Sequence, residues 1–228
     1  MHIDTLELLA PDLAALHAFY AATFGLPAEQ TADSLTIQVG GTRLTFAQAP
    51  AGWTERYHYA INIPENQFAA AKAWLAARVP LVTDADGTDT FFSTDWNADL
   101  CYYLDPAGNI GELIARHTLA CASDAPFGPA SLLTVSEIGL PTPDVPATVA
   151  DLTAHLGVAT YGETSDTFTP VGDEQGLFIV VRAGRIWFPD TGIPANPLPF
   201  TVTVRNARGN AYHITSTTTG IAIHPAAS

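Results

Sequence analysis

Leu6-Glu7-Leu8-Leu9-Ala10-Pro11-Asp12-Leu13, near the start of the chain, is matched 132 residues later by Ile138-Gly139-Leu140-Pro141-Thr142-Pro143-Asp144-Val145. Each stretch leads into a helical pattern that ends at a glycine, Gly25 in the first copy and Gly157 in the second. Aspartate is suited to cap the start of a helix, and glycine to the left-handed conformation that ends one. The shared caps and shared ends predict an internal duplication.

Each copy continues as strands after its helix. The first 118 residues predict two successive β-α-β-β-β units, with a hairpin turn at Gly40-Gly41 in the first unit and a helix over about 65–78 in the second. The strands predicted to follow the first helix lie at residues 35–39, 43–47, 57–63, 88–93, 100–104 and 110–115. We therefore predict a complete N-terminal domain at residues 1–118.

The remainder of the chain predicts a shorter second half. Residues 119–131, which are rich in Ala, Ser, Pro and Gly, predict a linker. Residues 132–228 predict a third β-α-β-β-β unit, followed by a fourth unit that is reduced to hairpin-like strands. The fold class is therefore α+β, with a second, truncated domain.

The composition excludes several classes of protein. The 228 residues include 9 basic and 23 acidic ones, for a formal charge of −14, and Lys72 is the only lysine. Phosphate-rich partners require clusters of Lys and Arg, so neither nucleic acid nor a membrane is an expected partner. No segment has the pattern of a signal peptide or a membrane span, and two cysteines are too few for a disulfide framework. We expect a cytoplasmic protein.

Four motifs carry a resemblance to a known family. They are Pro11-Asp12-Leu13, Phe24-Gly25-Leu26, the strand Tyr57-His58-Tyr59-Ala60-Ile61, and the segment 103–113, which contains Asp105-Pro106-Ala107-Gly108-Asn109 and Glu112-Leu113. Together they span nearly all of residues 1–118, and the likeness is weaker over 132–228. The sequence resembles the vicinal oxygen chelate superfamily, which includes glyoxalase I, extradiol ring-cleaving dioxygenases, fosfomycin-resistance enzymes and bleomycin-binding proteins.

The resemblance implies a fold and a set of metal ligands. Members pair βαβββ modules into curved mixed sheets around a cup, and catalytic members hold a divalent metal ion there. His58 and Glu112 match ligand positions of the family, whereas Thr5 and Thr45 stand where two further ligands are expected. The resemblance therefore implies an incomplete site for Mn, Zn, Ni or Fe in an N-terminal cup.

Strand alternation, read without the family, also gives each predicted strand one more polar face. These faces carry Thr5, Glu7, Arg43, Thr45, His58 and Asn62. Glu112 shares its face with Ile110 and Ile114, and a buried carboxylate needs a cation or a hydrogen-bond donor nearby. Arg43 and His58 are the candidate partners.

These observations assign provisional roles in the N-terminal cup. His58 and Glu112 are the predicted metal ligands, and Glu7 and Glu112 are the predicted groups for proton transfer. A small organic molecule is the expected partner, and the residues predicted to bind it are Thr5, Arg43, Thr45, Asn62, Trp53 and Trp96. The sequence leaves open whether the protein forms a homodimer.

The C-terminal copy has fewer of these features. Its first-strand ligand position falls on Glu137, and the position that matches His58 falls at Pro199 or Phe200. Its closing strand, 220–223, has no carboxylate. Because two-domain dioxygenases of the family are expected to hold their iron in this half, the sequence argues against a working dioxygenase of that type. The alternative to a catalytic C-terminal half is one that stabilises the protein or shapes the N-terminal cup.

Two functions remain open from the sequence. One is a divalent-metal-dependent lyase or oxygenase of the glyoxalase or dioxygenase-like type, with an incomplete ligand set. The other is a metal-free protein that binds or sequesters a small molecule, similar to the bleomycin-resistance branch. The pair His58 and Glu112 favours the first, and the missing ligand at Thr5 favours the second.

Overall fold

The computed structural model describes residues 1–226, and it confirms the predicted helix signals in both halves. The Asp12 carboxylate accepts a hydrogen bond from the Ala15 backbone N–H at 2.9 Å, and the Asp144 carboxylate accepts one from Ala147 at 3.0 Å. Gly157 ends its helix in the left-handed conformation, with φ of 64°. The two copies therefore begin their first helices by the same local chemistry.

The described residues contain fourteen strands, three α-helices and short turns. The helices are α1 (Leu13–His17), which continues as a π-helical turn over Ala18–Thr23, α2 (Phe68–Ala76) and α3 (Val145–Leu156). The first eight strands are β1 (His2–Ala10), β2 (Ala28–Gln30), β3 (Ser34–Val39), β4 (Thr42–Gln48), β5 (His58–Asn62), β6 (Phe91–Ser93), β7 (Ala98–Leu104) and β8 (Ile110–Arg116). The others are β9 (Thr134–Thr142), β10 (Phe168–Asp173), β11 (Gly176–Arg182), β12 (Phe200–Arg205), β13 (Ala211–Thr217) and β14 (Gly220–Pro225).

The strands form two curved mixed sheets of seven strands each. Sheet A has the order β14-β13-β12-β1-β4-β3-β2, and sheet B has the order β10-β11-β9-β5-β8-β7-β6. Parallel pairing occurs between β1 and β4, β5 and β8, and β9 and β11, as a βαβββ module requires. The α+β fold class and the paired βαβββ modules are thus confirmed.

The modules pair in a different order from the one expected. The second module joins the third through antiparallel pairing of β5 with β9, and the first module joins the fourth through pairing of β1 with β12. This corrects the expectation that residues 1–118 enclose a cup of their own, because each sheet combines strands that precede the segment 119–131 with strands that follow it. The division into domains at that segment stays a prediction.

The main core lies between the two sheets and under the helices. It contains apolar side chains from both sheets, such as Leu8 and Phe46 of sheet A and Ile61 and Phe178 of sheet B. A second apolar cluster lines the opposite, concave face of sheet B, where Ala60 and Tyr102 lie. Within residues 1–226, no helix has the length and apolar character needed to cross a membrane.

The turn between β7 and β8 is held by a buried carboxylate. Asp105 accepts hydrogen bonds from the backbone N–H groups of Ala107 and Asn109 and from the Asn109 side chain, each at 2.9 Å. Its second oxygen also accepts from the hydroxyls of Tyr20 and Tyr59, at 3.2 and 3.3 Å. Burial raises the pKa of Asp105 to about 6. The turn is thereby fastened to the π-helical turn after α1 and to β5.

We expect Asp105→Asn to lower the free energy of unfolding by about 2 kcal/mol, because one acceptor becomes a donor that faces other donors. For a chain of this size, the loss corresponds to a decrease in Tm of about 4–8 °C. Chemical and thermal unfolding measure it. Asp33→Asn, at an exposed position, is the matched control and should stay within about 0.5 kcal/mol. Equal stability of the two variants would contradict the role of Asp105.

Candidate functional site

Three ionisable side chains converge on the concave face of sheet B. His58, Glu112 and Glu137 each offer one ligand atom, and these atoms lie within 4.8 Å of one another. His58 Nε2 is 3.6 Å from Glu112 Oε2 and 3.9 Å from Glu137 Oε2. All three residues are buried, at 7%, 2% and 1% relative exposure. We call these three residues the central cluster.

The strand register explains why the three side chains meet. Ala60 of β5 pairs with Glu112 on one side and with Glu137 on the other, so both carboxylates flank a small residue of the central strand. His58 lies two residues before Ala60 and therefore on the same face. The methyl group of Ala60 fills little of the space between the carboxylates. Pairing of the second module with the third is what brings Glu137 to the cluster.

A buried arginine supports one side of the central cluster. Arg116 is completely buried, and its Nη2 forms an ion pair with Glu137 Oε1. Its Nε donates to Asn62 Oδ1 at 3.2 Å, and the Asn62 amide donates to the Glu174 carbonyl at 2.8 Å. The guanidinium also lies 5.1 Å from the Trp96 ring. Glu137 is thus held through Oε1, while its Oε2 faces His58.

Burial shifts the pKa values of the central cluster. It lowers the pKa of His58 to about 4, so the imidazole is neutral at neutral pH. Burial raises the pKa of Glu137 to about 7, although Arg116 opposes that change. The pKa of Glu112 is raised well above its usual range, first by burial and then by the charge of Glu137. The cluster therefore disfavours two ionised carboxylates unless further positive charge is present.

The central cluster fits a divalent metal ion. A neutral imidazole and two carboxylates form a nitrogen and oxygen donor set that suits Mn²⁺, Fe²⁺ or Zn²⁺. Ligand atoms around one ion lie roughly 3–4 Å apart, and His58 Nε2 lies 3.6 and 3.9 Å from the carboxylate oxygens of Glu112 and Glu137. Glu112 Oε1 is buried and has no hydrogen-bond partner among residues 1–226. A cation between the carboxylates would satisfy that oxygen and the charge imbalance together.

A cavity of about 330 Å³ opens from the central cluster to solvent. Its walls are mainly aromatic and apolar, and its lining includes Phe91, Trp96, Leu100, Tyr102, Phe168, Ile179, Trp187 and Phe188. This combination of an ionisable floor and apolar walls is typical of sites for small organic molecules.

The segment 183–195, between β11 and β12, contributes one wall of the cavity. Its Trp187 ring lies 4.9 Å from the His58 ring and close to Gly139 of β9. A Cβ atom at Gly139 would lie 2.7 Å from the Trp187 ring, so glycine is needed there for the indole to reach the histidine. The wall beside His58 thus depends on both the third module and the segment that follows it.

The structure brings together some of the predicted site residues. His58 and Glu112 belong to the central cluster, and Trp96 lines the cavity. Asn62 lies behind the cluster, where its side chain contacts Arg116 and Glu174. The roles of these four predicted residues, His58, Glu112, Trp96 and Asn62, in binding and catalysis stay predictions.

The other predicted residues lie elsewhere. Thr5 and Glu7 are on β1 of sheet A, where they pair with Arg43 and Thr45 of β4, and they line no part of the cavity. Trp53 packs beside Tyr57, with ring centroids 6.4 Å apart, and is also outside it. These placements correct the expectation of a single N-terminal cup. Strand alternation identified the polar faces but did not show that they belong to two different sheets.

Glu137 is the member of the central cluster that the sequence does not place beside His58 and Glu112. It occupies the same position in the third module as Thr5 in the first, 132 residues earlier. The sequence indicates a ligand position of the C-terminal copy at Glu137, but it does not indicate that Glu137 lies beside His58 and Glu112. The candidate partners named for Glu112 were Arg43 and His58. His58 is confirmed as a neighbour, whereas the nearby arginine is Arg116.

Several solved structures have a similar fold. A "putative dioxygenase" from Bacillus subtilis superposes with a TM-score of 0.62 and 14% identity, over 97% of this chain and 83% of that one. Two glyoxalase I mutants from Zea mays give TM-scores of 0.54 and 0.53 at 12% identity, over 97% and 96% of this chain and 92% and 89% of theirs. The chain therefore has the fold of these glyoxalase I and putative dioxygenase structures, as its resemblance to the vicinal oxygen chelate superfamily implies.

The likeness concerns the fold, because the identities are only 12–14%. No protein-family model matches the sequence, and no curated protein matches it either. A shared fold does not establish a shared activity, so the activity of this chain depends on the side chains of its own central cluster and cavity.

Proposed function

We propose that this protein binds a divalent metal ion at His58, Glu112 and Glu137, and that it acts on a small organic molecule in the adjoining cavity as a lyase or a dioxygenase-like enzyme. The observation that carries the proposal is the convergence of three buried ligand atoms from β5, β8 and β9. The sequence alone offered only two ligands. The glyoxalase and dioxygenase-like neighbours support the same general class.

Each residue of the site has a distinct task in this proposal. The neutral His58 and the two carboxylates hold the ion, and Arg116 keeps one oxygen of Glu137 turned toward His58. A bound divalent ion supplies Lewis-acid polarisation of oxygen atoms on the substrate. Glu112 is the candidate to accept or donate a proton, at the carboxylate oxygen that does not hold the ion.

The apolar walls orient the substrate and exclude water. Trp187 covers one side of His58, and Tyr102 has its ring 6.4 Å from the His58 ring on another side. Apolar walls around the ionisable floor strengthen electrostatic interactions there. This arrangement favours a substrate with an oxygen-bearing end at the central cluster and an apolar body along the aromatic walls.

A metal-free binding protein is the second candidate, and one observation favours it. Arg116 already supplies a positive charge to the carboxylates, as an ion pair with Glu137. In that case the aromatic cavity alone would bind a small molecule, and chelators would not change its affinity. Ligand binding that is lost in EDTA would exclude this alternative.

Titration of chelator-treated protein with Mn²⁺ tests the proposal. We expect one ion to bind per chain and to raise the Tm by several degrees, because a ligand that binds only the folded state stabilises it. His58→Ala should abolish both effects. His155→Ala, on the exposed side of α3, is the matched control and should bind Mn²⁺ as the unmodified protein does. No binding of Mn²⁺, Zn²⁺, Ni²⁺ or Fe²⁺ would contradict the metal proposal.

A further inference from the structure

A basic residue lies at the mouth of the cavity, apart from the central cluster. Arg185 lies in the segment 183–195 and lines the cavity. Its backbone N–H donates to the Arg182 carbonyl at 3.2 Å, and its carbonyl accepts from the Ala195 N–H at 2.7 Å. Its guanidinium lies 5.0 Å from the centre of the Phe168 ring. Both the backbone and the side chain of Arg185 are thus held in place beside the opening.

The positive charge of Arg185 is available to a ligand. The side chain is exposed, and within residues 1–226 it forms no hydrogen bond or ion pair. Among the described residues, Arg185 is the only arginine or lysine that lines the cavity. In a chain with a formal charge of −14, an arginine without a carboxylate partner at a cavity mouth favours an anionic ligand there.

The space between Arg185 and the central cluster has aromatic walls. The Phe91 and Tyr102 rings contact each other edge to face, and both contact Phe188 in the same way. Phe188 is 54% exposed, so the apolar wall continues to the surface beside the mouth. A ligand that spans from floor to mouth therefore needs an apolar, preferably flat, middle.

We propose that Arg185 is a specificity-determining residue that binds a carboxylate or similar anionic group on an aromatic or otherwise apolar ligand. The opposite end of that ligand enters toward the central cluster. The inference rests on the proposed function, because it names the class of molecule for the same cavity. Asp95 also lines the cavity and opposes additional negative charge, so the geometry favours a monoanion.

Matched pairs of an acid and its amide test this inference. Dissociation constants are measured by NMR titration for 3-phenylpropionate against 3-phenylpropionamide, and for 1-naphthylacetate against 1-naphthylacetamide. We expect each anion to bind about five- to tenfold more tightly than its amide, as for a charge-assisted hydrogen bond near the surface. Arg185→Gln should remove this preference and leave amide binding within about twofold.

Control variants separate a local contact from a general charge effect. Arg208→Gln removes the same charge from an exposed turn outside the cavity and should keep the preference for the anion. Asp95→Asn should strengthen anion binding by about twofold, because it removes the opposing charge at the mouth. An unchanged preference in Arg185→Gln, or no preference in the unmodified protein, would overturn the inference.

The titrations are repeated in EDTA and with saturating Mn²⁺, so that this inference and the proposed metal function fail separately. If Mn²⁺ binds but the acids show no advantage over the amides, the assignment of Arg185 is wrong and the metal site stands. If the preference depends on Arg185 and Mn²⁺ does not bind, the metal proposal fails and the assignment of Arg185 stands.

Discussion

Glu137→Gln is expected to weaken Mn²⁺ binding by about 100-fold or more. Glutamine keeps the shape of the side chain but removes the charge of one of the three ligands, and even changes outside the ligand set weaken metal sites by about 10- to 100-fold. Because only the pairing of β5 with β9 brings Glu137, the proposed third ligand, to the central cluster, this substitution tests the fold and the site together. Calorimetric titration of chelator-treated protein measures it.

Glu163→Gln is the matched control for this prediction. Glu163 is exposed in the loop after α3, so the same change of charge and shape should leave Mn²⁺ affinity within about twofold. Circular dichroism of both variants shows whether the fold is kept. If folded Glu137→Gln bound Mn²⁺ as tightly as the control, Glu137 would not be a ligand.

Arg116→Met is expected to lower the free energy of unfolding by about 3–5 kcal/mol. The change leaves Glu137 buried without its counter-charge, and breaking one side of a buried ion pair has an effect of about this size. In the metal-free protein the Tm should decrease by roughly 10 °C. Mn²⁺ should restore a larger share of the lost stability than it adds to the unmodified protein, because the ion replaces the missing positive charge.

Two further variants keep this prediction falsifiable. Arg208→Met, at an exposed turn, removes an arginine of the same size and should change stability by less than about 0.5 kcal/mol. The double variant Arg116→Met/Glu137→Met removes both charges and should recover part of the loss, since the two residues are coupled. If Arg116→Met were as stable as the Arg208 control, the ion pair would not hold the cluster.

The local features of this fold were accessible from the sequence. The caps at Asp12 and Asp144 and the helix end at Gly157 depend on a few neighbouring residues, and the structure has them where the sequence predicts them. The proximity of His58 and Glu112 was also predicted, through a family motif on one module. Such features follow from local spacing and therefore need no knowledge of how the modules pair.

The pairing of the modules was not accessible in the same way. Strand alternation gives Thr5 and His58 the same kind of polar face, whichever sheet they join. Only the register between β5 and β9 places Glu137, and not Thr5, beside His58. Arg116 and Trp187 were missed for the same reason, because their contacts with Glu137 and His58 join segments far apart in the chain.

The most direct measurement is the anomalous difference density from crystals of the protein grown with Mn²⁺. We predict a single strong peak within about 2.4 Å of His58 Nε2 and of one carboxylate oxygen from each of Glu112 and Glu137. Arg116 should remain on the other oxygen of Glu137. A central cluster without a peak, in crystals that contain Mn²⁺, would contradict the account.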